Sequence, residues 1–321
     1  MIASTPMVRP ARLLQMSLET DTAGPVIDDA VHDLVQAGEL TSLLRILHGA
    51  PVDCAAADEA WALLETPDTL RRILERESPD FEALDLLLPR LGLAAVEPML
   101  ATLANSEALP IRRQLFSRLS RLGPEVGKAA VRHLRDSRWY VQRNMLALMG
   151  ELDHWPERWT PSQLADAPHP AVRREALKLM LRVPEHWDLA VVGLLRDEDP
   201  RTVALGLAAA VESAPADAID MLIGYAEDED LPPELRVLAI RALEANGARS
   251  AIPTLMLLCG EKRWPRGRKT RATEKTSVML AALRALYDLA YEDDEARQLL
   301  DAAAASDDPE IRAAARGLTE R

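Results

Sequence analysis

The sequence predicts an all-α protein, an α-solenoid of about nine helix-pair repeats wound into a right-handed superhelix. An apolar anchor position recurs at intervals of 30, 30, 31, 30, 33, 43 and 33 residues, and each interval has room for two helices and a turn. Of all residues, 48% are hydrophobic but only 4% are aromatic, which suits thin layers of helices rich in Leu, Ala and Val. The anchors are Phe81, Ile111, Val141, Val172, Thr202, Leu235, Val278 and Ile311.

The first elements in chain order are an N-terminal tail and two helix pairs. Residues 1–24 carry the least regular pattern, so we expect a tail that is flexible or partly helical. The DTAGP sequence at its end is typical of a break before a helix. Amphipathic patterns then predict helices at 26–38 and 39–48, and the sequences VDCAAADEAWALLE and PDTLRRILERE predict the next pair. Residues 25–321 would form a single repeat domain.

Prolines mark most of the later helix starts. Ser78-Pro79, Asp199-Pro200 and Asp308-Pro309 each place a side-chain oxygen at the N-cap and a proline at the first helical position. Pro170 and Pro233 hold the same position without an ideal cap before them. The second helices are predicted to open near a proline, at Pro124, Pro156, Pro184 and Pro215.

In several first helices, a small residue and a large one lie four and five positions after the anchor. The small residue allows a neighbouring helix to approach closely, and the large one fills the inner face. We therefore expect these pairs in the packed core. They are Ala176-Leu177, Gly206-Leu207, Ala239-Ile240 and Ala282-Leu283.

The pattern Asp-x-x-Pro-x-Val-Arg-x-x-Ala-Leu, with a period near thirty, resembles bacterial HEAT and HEAT-like repeats, the group that includes the phycobilin-lyase type. The resemblance covers about residues 50–321 and implies a scaffold that grips partners along a concave face. In that family the arginine usually bridges adjacent repeats. The Val-Arg pair appears as Ile111-Arg112, Val172-Arg173, Leu235-Arg236 and Ile311-Arg312, and it is absent at Phe81-Glu82, Val141-Gln142, Thr202-Val203 and Val278-Met279.

Charge and composition narrow the partners and the compartment. The net charge of −13 disfavours nonspecific binding to nucleic acid or to an anionic membrane, because both depend on basic residues. No apolar run approaches the roughly 18 residues of a membrane span or forms a signal-peptide core, so we expect a cytoplasmic protein. Cys54 and Cys259 lie in apolar helical sequence and are predicted to be reduced, buried thiols.

The interval of 43 residues holds a basic insertion at 261–275, with seven Lys or Arg against two Glu. Arginine offers a planar fork to carboxylate or phosphate, and a tryptophan beside it can stack on a ring or a guanidinium. We predict that the insertion binds a partner or an anion. Alternatively, it folds back onto the acidic residues at 227–230 or 292–294. The predicted binding residues are Arg263, Trp264, Arg266, Arg268, Lys269 and Arg271.

A second candidate surface is aromatic. Trp155 and Trp159 are four residues apart and are predicted to share one face of a helix, and Trp187 follows at the matching place in the next unit. Tryptophan is enriched at binding hot spots, so these residues are predicted to contact a partner. The alternative is that the indole rings fill a wider gap between helix layers.

The sequence has no His-x-x-x-His or Cys-x-x-Cys metal motif, and it has no nucleophile elbow or phosphate loop. We therefore predict no catalytic residues, no metal and no cofactor. The leading hypothesis is a non-enzymatic protein–protein interaction scaffold. Two alternatives stay open. One is a HEAT-like enzyme of the bilin lyase or DNA glycosylase type, and the other is a regulatory module that binds an anionic ligand at the arginine-rich loop.

Overall fold

The computed structural model describes residues 9–75, 78–152, 154–260 and 275–318, and these ranges contain helices and turns but no strand. This confirms the all-α prediction. The chain forms two compact units, unit 1 (Met1–Trp159) and unit 2 (Thr160–Arg321). Each unit is described by itself below.

Unit 1 begins with a helix inside the predicted tail. Its α-helices are α1 (Pro10–Glu19), α2 (Pro25–Gln36), α3 (Leu40–His48), α4 (Ala55–Leu64), α5 (Pro67–Leu74), α6 (Phe81–Leu91), α7 (Val96–Asn105), α8 (Leu109–Leu119), α9 (Glu125–His133) and α10 (Trp139–Gly150). Helix α1 packs against α2 and α4, and Leu14 is fully buried there. Burial of its apolar side explains why this segment is ordered.

Unit 2 is built from α-helices in two rows. They are α11 (Pro170–Met180), α12 (Trp187–Leu195), α13 (Pro200–Glu212), α14 (Ala216–Glu227), α15 (Pro233–Ala245), α16 (Ile252–Leu258), α17 (Ser277–Leu289), α18 (Asp294–Ala304) and α19 (Pro309–Ala314). Helices α13, α15, α17 and α19 pack side by side in that order, and α12, α14, α16 and α18 form a second row. Each second-row helix therefore contacts the first-row helix that follows it in the chain and a neighbouring helix of its own row.

The anchor positions occupy a common place in these helices. The anchor is the third residue of α8, α10, α11, α13, α15 and α19, the second of α17 and the first of α6. Val141, Val172 and Thr202 are fully buried. The period seen in the sequence therefore marks the first turn of each first helix.

The helix starts follow the predicted caps with one exception. The carboxylates of Asp199 and Asp308 accept hydrogen bonds from the first turns of α13 and α19, and His169 Nδ1 accepts one from Ala171 N at the start of α11. The start predicted at Ser78-Pro79 is wrong. Helix α6 begins two residues later because Asp80 is its cap, with Oδ1 3.0 Å from Ala83 N.

Prolines also precede second helices. Pro124 and Pro215 lie directly before α9 and α14, and Pro184 opens the short 3-10 turn before α12. Pro156 does not open a helix, as described below. Proline is tolerated at these places because the first N–H groups of a helix have no partner within the helix.

The small-then-large pairs lie in the core, as predicted. Ala176, Ala239 and Ala282 are fully buried. At Gly206 the approach is closest, because an added Cβ would lie 2.8 Å from Leu194 Cβ and 3.0 Å from Leu195 N. Glycine therefore lets α12 pack directly against the backbone of α13.

The arginines of the repeat pattern donate hydrogen bonds to backbone carbonyl groups in the helix end or turn that precedes their own helix. A charged donor to a backbone carbonyl makes a strong hydrogen bond and satisfies an oxygen that the helix leaves free. Where the pattern has glutamine instead, its amide does the same. The contacts run from Arg112 Nη1 to Glu107 O (2.6 Å), Arg173 Nη1 to Pro168 O (3.0 Å), Arg236 Nε to Ala226 O (3.0 Å), Arg312 Nη1 to Ser306 O (2.7 Å) and Gln142 Nε2 to Asp136 O (2.9 Å).

One helical stretch in the described ranges is long and apolar enough to cross a membrane, judged by length and composition alone. It is Phe81–Asn105, with a mean hydropathy of 1.4. The expectation that no stretch approaches a membrane span is therefore too strong. The stretch is interrupted at Gly92, which has a φ of 51°, and Leu84, Leu87 and Met99 within it are fully buried in unit 1.

Candidate functional site

The predicted basic residues Arg263, Trp264, Arg266, Arg268, Lys269 and Arg271 lie outside the described residues. Lys275, the last residue of the predicted insertion, is described. Its Nζ lies 2.9 Å from Glu310 Oε1 and 3.2 Å from Asp308 Oδ2, at the start of α19. The hydrogen bond with Glu310 is the main cause that raises the pKa of Lys275. This end of the insertion thus pairs with carboxylates of its own unit.

Trp155 and Trp159 contact each other, but not on a helix. The helix predicted for their segment is wrong, because the chain from 154 to 160 is irregular and Pro156 lies in the middle of it. The two rings meet edge to face at 5.5 Å between centroids. Trp155 Nε1 donates to Met149 O at 2.8 Å, and Trp159 is only 6% exposed.

Trp187 is the first residue of α12 in unit 2. It is half-buried, and its Nε1 donates to Ser213 O at the end of α13 over 2.9 Å. Its ring packs against the core of unit 2. That these indoles contact a partner stays a prediction. The most exposed tryptophan in the described ranges is Trp139, at 40%.

A groove of about 310 Å³ lies between α15, α17 and α19 in unit 2. Small and branched apolar side chains form its floor, and charged side chains stand at its rim. Leu318 at one end is 61% exposed. The lining residues are Val237, Arg241, Glu244, Ser277, Leu280, Ala281, Arg284, Glu310, Ala313, Ala314 and Leu318.

The rim of this groove carries both signs of charge. Arg284 Nε lies 3.3 Å from Glu244 Oε1, and the Glu244 side chain is only 16% exposed. Burial raises the pKa of the Glu244 carboxyl, a hydrogen bond with Asp288 raises it further, and the Arg284 charge opposes both. Arg241 is exposed and has no side-chain partner in the described part of the chain. It can therefore receive a carboxylate from outside.

Unit 1 contains a basic segment that the sequence analysis missed. Residues 109–146 hold nine Lys or Arg against two Asp or Glu, whereas residues 1–108 hold seven against eighteen. A running charge count along the chain would have found this change of sign. We call residues 109–146, which span α8, α9 and most of α10, the basic segment.

About half of the cations in the basic segment are matched by a carboxylate. The pairs are Arg118–Asp85, Lys128–Glu125, Arg132–Glu97 and Arg138–Asp136. The exposed Arg113, Arg121 and Arg135 have no side-chain partner among the residues that the structure describes. The segment therefore keeps an excess of positive charge at its surface.

Aromatic rings and guanidinium groups alternate at the start of α10. Arg138 lies over the Tyr140 ring at 5.6 Å, Tyr140 meets Trp139 edge to face at 5.9 Å, and Arg143 lies over the Trp139 ring at 5.5 Å. Hydrogen bonds from Arg138 lower the pKa of Asp136 to about 2. We call Arg138, Trp139, Tyr140 and Arg143 the arginine ladder.

A second groove, of about 660 Å³, lies between α5, α7 and α8 and reaches the arginine ladder. The link is Asn105 at its edge, whose Oδ1 accepts a hydrogen bond from Arg138 Nη1 at 3.2 Å. The Ser106 hydroxyl on its wall is buried and has no hydrogen-bond partner. The lining residues are Pro67, Arg71, Leu74, Glu75, Pro79, Pro98, Ala101, Thr102, Asn105, Ser106, Glu107, Ala108 and Ile111.

The structure brings together no group of three His, Cys, Asp or Glu residues able to hold a metal ion within the described ranges. His169 serves instead as the cap of α11. Cys54 and Cys259 are buried and are not joined in a disulfide, as predicted. Burial raises the pKa of both thiols, which keeps them unreactive.

Comparisons with known proteins assign no family. No protein-family model matches the chain, and no curated protein matches it. Among the solved structures that match is an engineered protein from the Northeast Structural Genomics Consortium. It is 17% identical, with a TM-score of 0.43 over 97% of this chain and 98% of that chain. Likeness at this level assigns neither a fold family nor a function.

Proposed function

We propose that the protein is a non-enzymatic scaffold, a HEAT-like α-solenoid that binds a protein partner along its helix surface. The observation that carries this proposal is the pair of helix rows in unit 2, in which α13, α15, α17 and α19 pack side by side. Such a stack presents a long, continuous surface from a short repeating unit. We also propose a cytoplasmic location, which the two buried cysteines outside any disulfide support.

The groove between α15, α17 and α19 is the contact region that we propose for unit 2. Its apolar floor can take an apolar side chain, while Arg241 at the rim can pair with a carboxylate. The helices that form it have fully buried cores, including Ala239, Ile240 and Leu283. A rigid surface loses little conformational entropy on binding, so a few well-placed contacts are sufficient for specific binding.

Affinity capture from cells of the source organism, followed by quantitative mass spectrometry, tests this function. A groove variant combines Arg241→Glu with Leu318→Glu. We expect the wild-type chain to retain a reproducible set of proteins and the groove variant to lose at least one of them. Arg241→Glu removes the cation that would pair with a carboxylate of the partner protein. Leu318→Glu puts a negative charge where an apolar side chain of the partner would bind, which is unfavourable.

The matched control combines Arg201→Glu with Leu257→Glu, two exposed residues that line none of the grooves described above. It makes the same chemical change and is expected to retain the full set. If the wild-type chain retains nothing above the bare resin, or if both variants lose the same proteins, the proposed function is wrong. Circular dichroism confirms that each variant keeps the helical content of the wild type.

A further inference from the structure

We infer that an exposed face of α12 in unit 2 is a docking site for a basic amphipathic helix of a partner protein. This site is separate from the groove between α15, α17 and α19, so the inference goes beyond the proposed function. Three observations carry it: an apolar helix face outside the packed core, a groove beside that face and unpaired carboxylates at the rim of the groove.

Helix α12 has three faces, and two of them are buried. Val191 and Leu195 belong to the large apolar core that continues through α13 and α14. Ala190 and Leu194 are fully buried against α11. The third face begins with Leu189, which is 66% exposed and is the most exposed large apolar side chain in the described part of unit 2. This face is therefore available for contact with another protein.

The place of α12 in its row explains why this face is exposed. Each later second-row helix packs against the one before it, α14 on α12, α16 on α14 and α18 on α16. No second-row helix precedes α12 in the described part of unit 2. The chain before α11 supplies a short 3-10 turn, Pro161–Leu164, and this turn packs on α11. A helix from another protein could take the place that a preceding second-row helix would fill.

A groove of about 600 Å³ lies beside this face, between α11, α12 and the chain that follows the 3-10 turn. Leu177 and Met180 of α11 and Val192 of α12 supply its apolar walls. At Gly193 an added Cβ would lie 2.9 Å from Leu177 Cδ2, so glycine lets that leucine lie against the backbone of α12. The result is a depression one turn after Leu189, into which the side-chain ridge of a docking helix can pack. We call it the α12 groove.

Unpaired carboxylates dominate the rim of the α12 groove. Asp166 and Glu198 line it and are exposed, and neither has a hydrogen-bond or ion-pair partner in the described part of the chain. Asp188, in the first turn of α12, is exposed and unpaired as well. Against these three carboxylates, the described lining holds one unpaired cation, Arg196. A partner with an excess of Lys or Arg is therefore complementary in charge to the site.

The other charged residues of the lining do not change this balance. Arg173 and Asp197 form an ion pair, with Nε 2.7 Å from Oδ2, and neutralise each other. The surrounding sequence is acidic too, since residues 160–260 hold sixteen Asp or Glu against nine Lys or Arg. Nucleic acid and anionic membranes would be repelled because they carry negative charge. An amphipathic helix with Lys or Arg beside its apolar face supplies both the apolar and the basic groups.

The test uses the full-length chain and a fluorescein-labelled helical peptide of Ala, Leu and Lys, with its leucines on one face. Fluorescence anisotropy measures the Kd at low and at physiological ionic strength. The comparison probes are the same peptide with Glu in place of Lys and a scrambled peptide of equal composition without an apolar face. Both should bind at least about tenfold more weakly than the basic peptide, which corresponds to roughly 1.4 kcal/mol.

Leu189→Gln tests the apolar contact, because it removes the apolar side chain without changing the charge. It should weaken binding of the basic peptide at least about fivefold at both ionic strengths, since salt does not screen the loss of an apolar contact. The matched control is Leu257→Gln, at an exposed leucine of α16 that lines none of the described grooves. This control should leave the Kd unchanged.

The double variant Asp166→Lys with Glu198→Lys tests the charge contact, because it reverses the charge of the rim. It should weaken binding at least about tenfold at low ionic strength and less at physiological ionic strength, since salt screens exposed charges. The matched control combines Asp301→Lys with Glu229→Lys, two exposed and unpaired carboxylates of unit 2 away from the groove lining. It makes the same change in net charge and should have a clearly smaller effect.

Several results would overturn the inference. They are no binding of the basic peptide, equal binding of the acidic probe, and equal weakening by a variant and its matched control. Self-association that Leu189→Gln abolishes, measured by sedimentation velocity, would also overturn it, because the face would then belong to a second copy of this chain. Peptide failure combined with capture that depends on α15, α17 and α19 would reject this inference alone, whereas failure of wild-type capture rejects the proposed function.

Discussion

At the scale of single residues, two positions show how the sequence sets the packing of unit 2. Gly206 lies where the Cα of α13 meets the backbone of α12, so no side chain fits there. Arg173 forms a bidentate pair with Asp197, with Nε 2.7 Å from Oδ2 and Nη2 3.0 Å from Oδ1. The first position could be predicted from the small-then-large pattern. The second could not, because nothing in the sequence pairs Arg173 with the end of α12.

Gly206→Ala is expected to destabilise the protein by about 1–3 kcal/mol, because the added methyl group must push α12 away from α13. Chemical denaturation followed by circular dichroism measures the change. Gly224→Ala is the matched control, since a Cβ at this helical glycine meets nothing within 4 Å. There, alanine should stabilise α14 by about 0.4–1 kcal/mol. An equal effect of the two substitutions would contradict the close approach at Gly206.

Arg173→Gln is expected to cost about 3–5 kcal/mol at neutral pH, because the Asp197 side chain is only 2% exposed and would lose its paired guanidinium. Although burial opposes it, the Arg173 hydrogen bond holds the pKa of Asp197 below its ordinary value. Asp197 therefore stabilises the fold above its unfolded pKa of about 3.9, and this contribution is lost as the pH falls further. The difference between variant and wild type should shrink below about pH 4. A difference independent of pH would contradict the pair.

At the scale of elements, the repeat pattern predicted where the first helices begin, and chemistry at single caps set the exceptions. The side chain is buried at five of the eight anchors and partly buried at the other three, so the anchor marks where the first turn meets the core. Asp80 caps α6 two residues later than Ser78-Pro79 would, since its carboxylate reaches Ala83 N. The segment from 154 to 160 has helical spacing of its tryptophans, but Pro156 interrupts it. Spacing alone does not report such interruptions.

The hydrogen bonds from an Arg or Gln side chain to the carbonyl groups of the preceding turn belong to the same scale, and Gln142 offers a test of them. Its Nε2 donates to Leu134 O at 3.2 Å and to Asp136 O at 2.9 Å. Gln142→Ala should lower the free energy of unfolding by about 1 kcal/mol, because two partly buried carbonyl groups lose their donor. Gln142→Arg should retain most of the stability, because Arg112 and Arg173 make the corresponding contact before their own helices. Thermal denaturation measures the loss of stability in the two variants. Equal losses would show that the hydrogen bonds to the preceding turn are not the stabilising contact.

At the scale of the whole molecule, the net charge concealed the division of charge along the chain. A total of −13 argues against nonspecific binding to nucleic acid, and it also conceals the basic segment at 109–146. The predicted basic insertion coincides with the longest interval between anchors, whereas the basic segment lies where the anchors keep their regular spacing. Local charge is therefore independent of the helical period and has to be counted separately.

Duplex DNA is expected not to bind the full-length chain at physiological ionic strength, because acidic residues dominate outside the basic segment. A filter-binding assay measures this. Binding at micromolar or lower concentration would favour the nucleic-acid alternative over a protein partner. The variant Arg135→Glu serves as a control in the same assay, because a true phosphate contact would make its binding weaker and less dependent on salt.

The most direct measurement of scaffold function is hydrogen–deuterium exchange of the full-length chain, alone and saturated with the partner recovered by affinity capture. We predict slower exchange in α15, α17 and α19, with α14, α16 and α18 of the second row unchanged. A captured partner that leaves exchange unchanged in all of these elements would contradict the account.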